Sequence, residues 1–418
     1  MKRRTMLAAS AATAAASVLA RPAIAQTSKK LTFLSWNIID QADLFKVWFG
    51  DFAKLHPGVE IEWLDKKGPD LMPFYQTQLV AGTPPDVVDL QGGIGVEYAA
   101  LGALLDLTPY LTANPQVKAR FNTEYLNNWV WQGKNWLVPF YVAKTLLFTN
   151  KPLLQKAGIT SQATSFDELM TQAEKIGAGG GDQTGFLTLN FDWLYWALIR
   201  MNGVELLTPD LKQPAFNTPA MVEAVQRLAK ATAGSAINKI SWTGRWVEPL
   251  GAFASGQVGM LNAHAPAYFF LKGQGAWINP DTLGVAELPG NWSVPTLHGY
   301  AISKGTKDPD LAWAFVEFCT ARTQAQSMAD TRRVLTAYTE VDNALMARLQ
   351  KEEPLAYSVL KTQLEHTDKL TGNWPLPNDS RIKDAFYPEL QNAVLGRKDA
   401  KKAMDEAARK VARELRRA

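Results

Sequence analysis

Apolar and polar positions follow two rhythms along this chain. Leu31-Thr32-Phe33-Leu34-Ser35 reads as a short buried strand, and Asp43 to His56 carries apolar residues at helical spacing until Pro57-Gly58 stops it. Val59-Glu60-Ile61-Glu62-Trp63 alternates as a strand, Leu71 to Ala81 returns to helical spacing, and Asp86-Val87-Val88-Asp89-Leu90 is a third apolar strand. Strand, helix, strand, helix, strand predicts a parallel sheet covered by helices, an α/β fold.

After Val138-Pro139-Phe140-Tyr141 the pattern starts again. Thr145 to Thr149 is strand-like, Ser165-Phe166-Asp167-Glu168 is a capping box, and Thr218-Pro219 opens a helix reaching about Ala231. Gln257 to Leu261 predicts another strand, and from Asn343 onward helices dominate. The terminal segment, Arg397 to Ala418, is basic, but Ala403, Met404, Ala407, Val411 and Leu415 form one stripe, which favours docking on its own domain over binding a membrane or nucleic acid.

At 418 residues the chain outgrows one core, so two domains are expected. Its net charge of +4 is local. Lys2, Arg3, Arg4 and Arg21 lie in the first 25 residues without an acid, and the remainder has 40 bases against 40 acids. Lys2-Arg3-Arg4, an Ala-rich run from Met6 to Ala20 and Ala23-Ile24-Ala25 have the order of an export signal cleaved after Ala25. Arg3-Arg4-Thr5-Met6-Leu7 gives it a twin-arginine character. The apolar run falls short of the roughly 20 residues that span a bilayer, so residues 1–25 are read as a removed address and the mature protein as periplasmic.

A neutral mature chain argues against nucleic acid as a partner. The single Cys319 sits at helical spacing among apolar residues and reads as a buried thiol, and the four histidines lack ligand spacing, so neither metal nor cofactor is expected. No phosphate loop, His-Glu-x-x-His or nucleophile elbow occurs, although a carboxylate pair for glycoside cleavage is invisible to such counting.

Several aromatic residues fall where strands end or loops begin: Trp36, Tyr141, Trp193, Trp196, Trp242, Tyr300 and Trp374. Asn37, Asp40, Gln91, Asp192, Asn262, His264 and Arg333 lie beside them or at equivalent ends. A large aromatic usually serves the core, yet ligands of parallel sheets bind beyond the carboxyl ends of strands, and sugar C–H faces pack on aromatic rings while amides and carboxylates read hydroxyls.

Asp86-Val87-Val88-Asp89-Leu90-Gln91-Gly92-Gly93 after Ala81-Gly82-Thr83-Pro84-Pro85, then Leu101-Gly102-Ala103-Leu104-Leu105-Asp106-Leu107-Thr108, resembles the extracellular solute-binding proteins of family 1, the carbohydrate-binding subunits of ABC importers. Gly133 to Pro139, Thr149-Asn150-Lys151 with Lys156 to Ile159, Ser165 to Leu169, Phe253 to Met260, Gly299 to Ser303 and Ala312 to Phe318 extend the resemblance in order and spacing over nearly the whole mature chain.

That resemblance implies a two-lobed periplasmic binding protein fold, each lobe a mainly parallel sheet flanked by helices. Crossing segments should lie near Pro139 to Lys144, Pro295 to Gly299 and Leu335 to Tyr338. One lobe would combine 26–141 with 297–336, the other 143–295 with 339–418. Ligand contacts are expected from Trp36, Asn37, Gln91, Gly92, Tyr141, Asp192, Trp193, Trp242, His264, Gly299, Tyr300, Arg333 and Trp374. Asp192 is equally placed to cap the helix holding Trp193 and Trp196, and Arg333 beside Arg332 reads as a solvated charge unless the ligand is anionic.

The implied protein is a monomeric receptor that delivers a small carbohydrate to inner-membrane ABC permease subunits without chemistry. The alternatives left open are a receptor for an anionic sugar or glycerol-phosphate-type polyol and, from another class, a secreted glycoside-cleaving enzyme.

Overall fold

The structure, a computed structural model, describes residues 29–36, 42–66, 68–189, 195–243, 247–372, 374 and 376–417. The export signal expected at 1–25, and Asn37, Asp40, Asp192 and Trp193, lie outside the described residues.

Among the described residues the strands are β1 (Lys29–Trp36), β2 (Val59–Lys66), β3 (Val87–Gln91), β4 (Val130–Trp131), β5 (Lys134–Asn135), β6 (Val138–Asn150), β7 (Thr184–Thr188), β8 (Val258–His264), β9 (Leu283–Ala286) and β10 (Pro295–Ile302). β4 and β5 form a small hairpin; the others make one sheet in the order β2-β1-β3-β10-β6-β8-β7, with β9 also on β6. The parallel pairs expected of the first region are β1 with β2 and β1 with β3; β7, which the sequence pattern did not mark as a strand, adds a parallel pair with β8. The long strands β6 and β10 run antiparallel to each other and to their outer neighbours, so the sheet as a whole is mixed.

This arrangement follows from β6, whose 13 residues serve both halves of the molecule. Its first half pairs with β10 and its second with β8 and β9. Leu335 adds a third segment at the same place, accepting the Val142 N–H at 3.0 Å. Pro139 has no N–H for the ladder, and the β6–β10 register shifts opposite it, between His298 and Gly299.

Helices cover both faces. Ala42–Leu55 buries Phe45, Trp48 and Phe52, and Phe33 on β1 lies 6.0 Å from Phe45. Phe166–Gly177 starts with Ser165 Oγ accepting the Glu168 N–H at 3.1 Å, while Glu168 reaches back to the N–H and hydroxyl of Thr164 rather than to Ser165. The capping box is therefore shifted outward by one residue on its return limb.

The terminal helix, Ala400–Leu415, buries Ala403, Met404, Ala407 and Val411 in the same core as Ile382, Phe386 and Leu390 of helix Asp379–Val394. Lys398 and Lys410 each meet Glu389 at 2.5 Å. Its apolar stripe is thus covered by its own lobe. Among the described residues no helix is long and apolar enough to cross a membrane.

Candidate functional site

The crossing strands set the floor of a cleft. Tyr141 on β6 stands opposite His298 on β10, and His298 stands opposite Gln91 at the end of β3. The Tyr141 and His298 rings meet edge to face at 5.2 Å and 83°, and Trp36, ending β1, meets His298 at 6.2 Å and 87°. Trp36, Gln91, Tyr141 and His298 are each half-buried, so three strand ends and a crossing strand present one mixed aromatic and polar surface.

Beneath it lies Asp89, only 1% exposed, whose Oδ1 accepts from His298 Nδ1 at 3.0 Å. That hydrogen bond fixes the ring and places the proton on Nδ1, which leaves Nε2 for another partner. Burial, with the Asp89 charge adding to it, pushes the Tyr141 hydroxyl well above its ordinary value, so it remains a neutral donor. His264 ends β8 opposite Thr145. Burial, reinforced by the neighbouring His298, holds His264 at about 3, so it is a neutral imidazole at physiological pH.

One wall is the turn after β3. Gly92 has φ 49°, a left-handed backbone that glycine adopts without strain, and its carbonyl accepts the Trp129 indole N–H at 2.8 Å. Gly92, Gly93, Val96, Asn127, Asn128 and Trp374 border a cavity of about 270 Å³. Trp374 is half-buried, its ring edge-on to Trp196 at 5.6 Å. Asn127 and Asn128 bring two carboxamides that the sequence pattern did not mark; they end and cap helix Thr123–Asn127 with nothing in their local pattern to set them apart from a solvated helix end. A larger open groove of about 680 Å³ runs between Asn217 and the terminal helix, but its charged lining, including Lys401, Asp405 and Arg409, offers no aromatic face.

The structure corrects four expected contacts. Trp242 is 1% exposed, donates its indole N–H to Thr232 Oγ1 at 3.0 Å and packs 4.7 Å from Tyr195, which makes it a core residue. Tyr300 is fully buried, stacked on Phe140 at 4.0 Å and 3°. Gly299 is buried, and a Cβ there would lie 3.0 Å from Leu137 Cβ and 3.1 Å from the Trp129 ring, so packing gives the reason for glycine. Arg333 caps its helix in a left-handed conformation and donates Nε to Glu353 at 3.0 Å, where Lys272 also binds, so its charge is engaged on that surface. Asn262 is buried in the sheet, its amide donating to Thr188 Oγ1 at 3.2 Å. Of the expected residues, Gly92 and Trp374 line the cavity, while Trp36, Gln91, Tyr141 and His264 lie around His298 where the strands cross.

Among the described residues no cluster of His, Cys, Asp or Glu is arranged to hold a metal ion. Other cations near the crossing are paired as well: Lys144 is buried against Glu287, and Lys383 meets Asp379 at 2.8 Å.

Residues 36–326 match the profile of a family described as bacterial extracellular solute-binding proteins. A protein named only as a binding protein, from Brucella abortus (strain 2308), is 27% identical over 278 residues, 64% of this chain and 66% of that relative, so this chain spans just under two thirds of its length. The sn-glycerol-3-phosphate-binding periplasmic protein of Agrobacterium fabrum is 24% identical over 358 residues, 78% of each chain. A crystal structure of an ABC transporter solute-binding protein from Thermotoga lettingae, bound with α-D-tagatose, superposes with a TM-score of 0.79 at 19% identity, covering 93% of this chain and 100% of that one. The two-lobed fold is therefore shared.

Proposed function

Because the chain belongs to the bacterial extracellular solute-binding proteins, we propose that it captures an uncharged sugar in the cleft between its lobes and delivers it to inner-membrane ABC permease subunits. The observations that carry this reading are two surfaces linked by the turn after β3: half-buried Trp36, Tyr141, Gln91 and His298 on one side of it, and half-buried Trp374 with the carboxamides of Asn127 and Asn128 around Gly92 on the other. Aromatic faces suit sugar C–H groups, and neutral donors and acceptors suit hydroxyls. Asn37, Asp192 and Trp193 complete the proposed contact set. The solved relative bound with tagatose agrees with a small carbohydrate.

In this reading the lobes are 26–141 with 297–336 and 143–295 with 339–418, hinged where β6, β10 and Leu335 run side by side. Ligand shifts an open and closed equilibrium, and the closed form is what the permease recognises. The protein works as a periplasmic monomer, exported by residues 1–25, and returns its ligand unchanged.

The Agrobacterium relative favours a second reading, an anionic polyol such as a glycerol phosphate. Against it, the cations Arg333, Lys144 and Lys383 and the ring of His298 each already face a carboxylate. A thermal-shift panel of sugars, polyols and polyol phosphates decides, because a ligand of the native state raises apparent stability. Stabilisation by a neutral sugar, recovered intact, is the expected result. Stabilisation by phosphorylated members alone overturns the neutral reading, and repeated turnover of an oligosaccharide overturns the receptor.

A further inference from the structure

Helix Asp379–Val394 belongs to the lobe of β7 and β8: its Phe386 packs on Trp196 at 4.4 Å and on Phe216 at 4.8 Å. Helix Ile94–Ala100 belongs to the other lobe, continuing directly from β3 and the Gly92-Gly93 turn. The two helices meet beside the 270 Å³ cavity, start against start.

Gly93 is the seat of that meeting. Its φ of −62° and ψ of −20° are open to any L-residue, so its backbone gives no reason for glycine. The reason is space. A methyl group built on Gly93 would lie 2.5 Å from Asp379 Oδ2, 2.8 Å from its Cγ and 3.1 Å from its Cβ, and these are its three nearest neighbours. Asp379 is 1% exposed, and Lys383, one turn on, donates to the same Oδ2 at 2.8 Å. A second limb lies alongside, where Ser380 stands beside Glu97 and pulls its carboxyl down against the effect of burial.

We infer that Gly93 and Asp379 form a latch that exists only when the lobes are closed, with Glu97 and Ser380 as its second limb. All four are positioning residues: they set how far the lobes close over the cavity without being required to touch the ligand. The inference rests on the two-lobed fold and is independent of the ligand's identity. When the lobes part, Gly93 loses its neighbour, so a larger side chain there is accommodated in the open form and excluded from the closed one.

The test uses the full chain carrying Gly93→Cys with Asp379→Cys. The Cβ separation of about 3.1 Å is a few tenths below the usual disulfide span of about 3.5–4.5 Å, which a small adjustment supplies. Under mild oxidant without ligand, two of the three thiols should disappear, leaving buried Cys319, while the single variants do not cross-link within a chain. By solution X-ray scattering the oxidised protein should have a smaller radius of gyration than the same protein after reduction. If loss of the Lys383 partner prevents folding, Glu97→Cys with Ser380→Cys leaves Asp379 intact and should behave the same way. Folded protein that keeps all three thiols overturns the latch. So does a cross-link that forms with equal radii before and after reduction, because the contact is then permanent.

Discussion

His298 Nδ1 and Asp89 Oδ1 lie 3.0 Å apart, a hydrogen bond from a ring at the cleft floor to a carboxylate that is 1% exposed. The other oxygen, Asp89 Oδ2, has no hydrogen-bond partner among the described residues. Among the described residues the buried carboxylate therefore depends on His298 for its side-chain hydrogen bond, and the ring's orientation depends on the carboxylate. Two neighbouring strands, β3 and β10, carry the pair, which ties the floor of the site to the centre of the sheet.

Breaking that pair from one side should be costly. His298→Phe keeps a ring but strands Asp89, and removing one partner of a buried pair costs about 3–5 kcal/mol. Asp89→Asn combined with His298→Gln should restore part of the loss, since neither side chain then carries charge. Urea unfolding of Asp89→Asn, His298→Gln and the double variant measures the coupling; strictly additive losses would show that the two residues act separately.

His264 gives a pH dependence with a definite sign. Its value in the folded protein is about 3, below the 6.5 of an unperturbed histidine, because burial disfavours the imidazolium and His298 adds to that. The unfolded chain binds a proton below about pH 6.5 and the folded chain does not, so stability falls as pH drops through that range. At about 1.36 kcal/mol per pH unit, the contribution reaches about 2 kcal/mol by pH 5. Unfolding at pH 8 and pH 5 should reveal it, and His264→Gln should reduce the difference by that amount.

Glu97 should couple closure to protons in the opposite direction. In the closed form burial raises its carboxyl above the ordinary value and the Asp379 charge raises it further, while the Ser380 hydrogen bonds and Arg381 pull it back. The same helix also carries Lys383, paired with Asp379, and further along Asp384 and Glu389, the latter held by Lys398 and Lys410. With the lobes apart Glu97 regains water and its ordinary value, so closure takes up a proton as pH falls through the raised value. Affinity for the sugar that gives the largest thermal shift should rise from pH 8 to pH 5, and Glu97→Gln should flatten the profile. A profile that is the same in both proteins would remove Glu97 from the linkage.

The succession of strands and helices in the first half was legible in the chain because the apolar runs of β1 and β3 mark buried strands and where each stops, and Trp36 and Gln91 are the stops. Trp242 and Tyr300 were not, because composition and spacing do not tell whether an aromatic at an element's end turns toward a cleft or toward Tyr195 and Phe140. The closing contact was hidden for a different reason. Gly93 and Asp379 are almost 300 positions apart, and a glycine with ordinary dihedrals carries no local mark of the side chain that needs its space.

Cys319 should be chemically silent until the protein unfolds. It is 2% exposed on helix Pro309–Cys319, and burial pushes its thiol well above the ordinary value, which suppresses the reactive thiolate. A thiol-specific chromogenic reagent should find no reactive group in native protein and one per chain in denaturant. Prompt labelling of the native protein would show that this helix opens.

Two tryptophans separate the core from the site. Trp242 fills a closed space and makes a buried hydrogen bond to Thr232, so Trp242→Ala should destabilise the protein by about 3–5 kcal/mol. Trp374 is half-buried at the edge of the cavity, with one edge on Trp196 and the Lys383 ammonium 5.9 Å from its ring centre. Its replacement by Ala removes a stacking face and leaves the core around Phe386 in place, so stability should change by less than about 1 kcal/mol while affinity for the bound sugar falls about tenfold or more, about 1.4 kcal/mol. Calorimetric titration beside urea unfolding reads both quantities on the same preparations. If Trp374→Ala lowers stability as far as Trp242→Ala and leaves affinity unchanged, Trp374 is a packing residue, and the cavity it borders is not where the ligand sits.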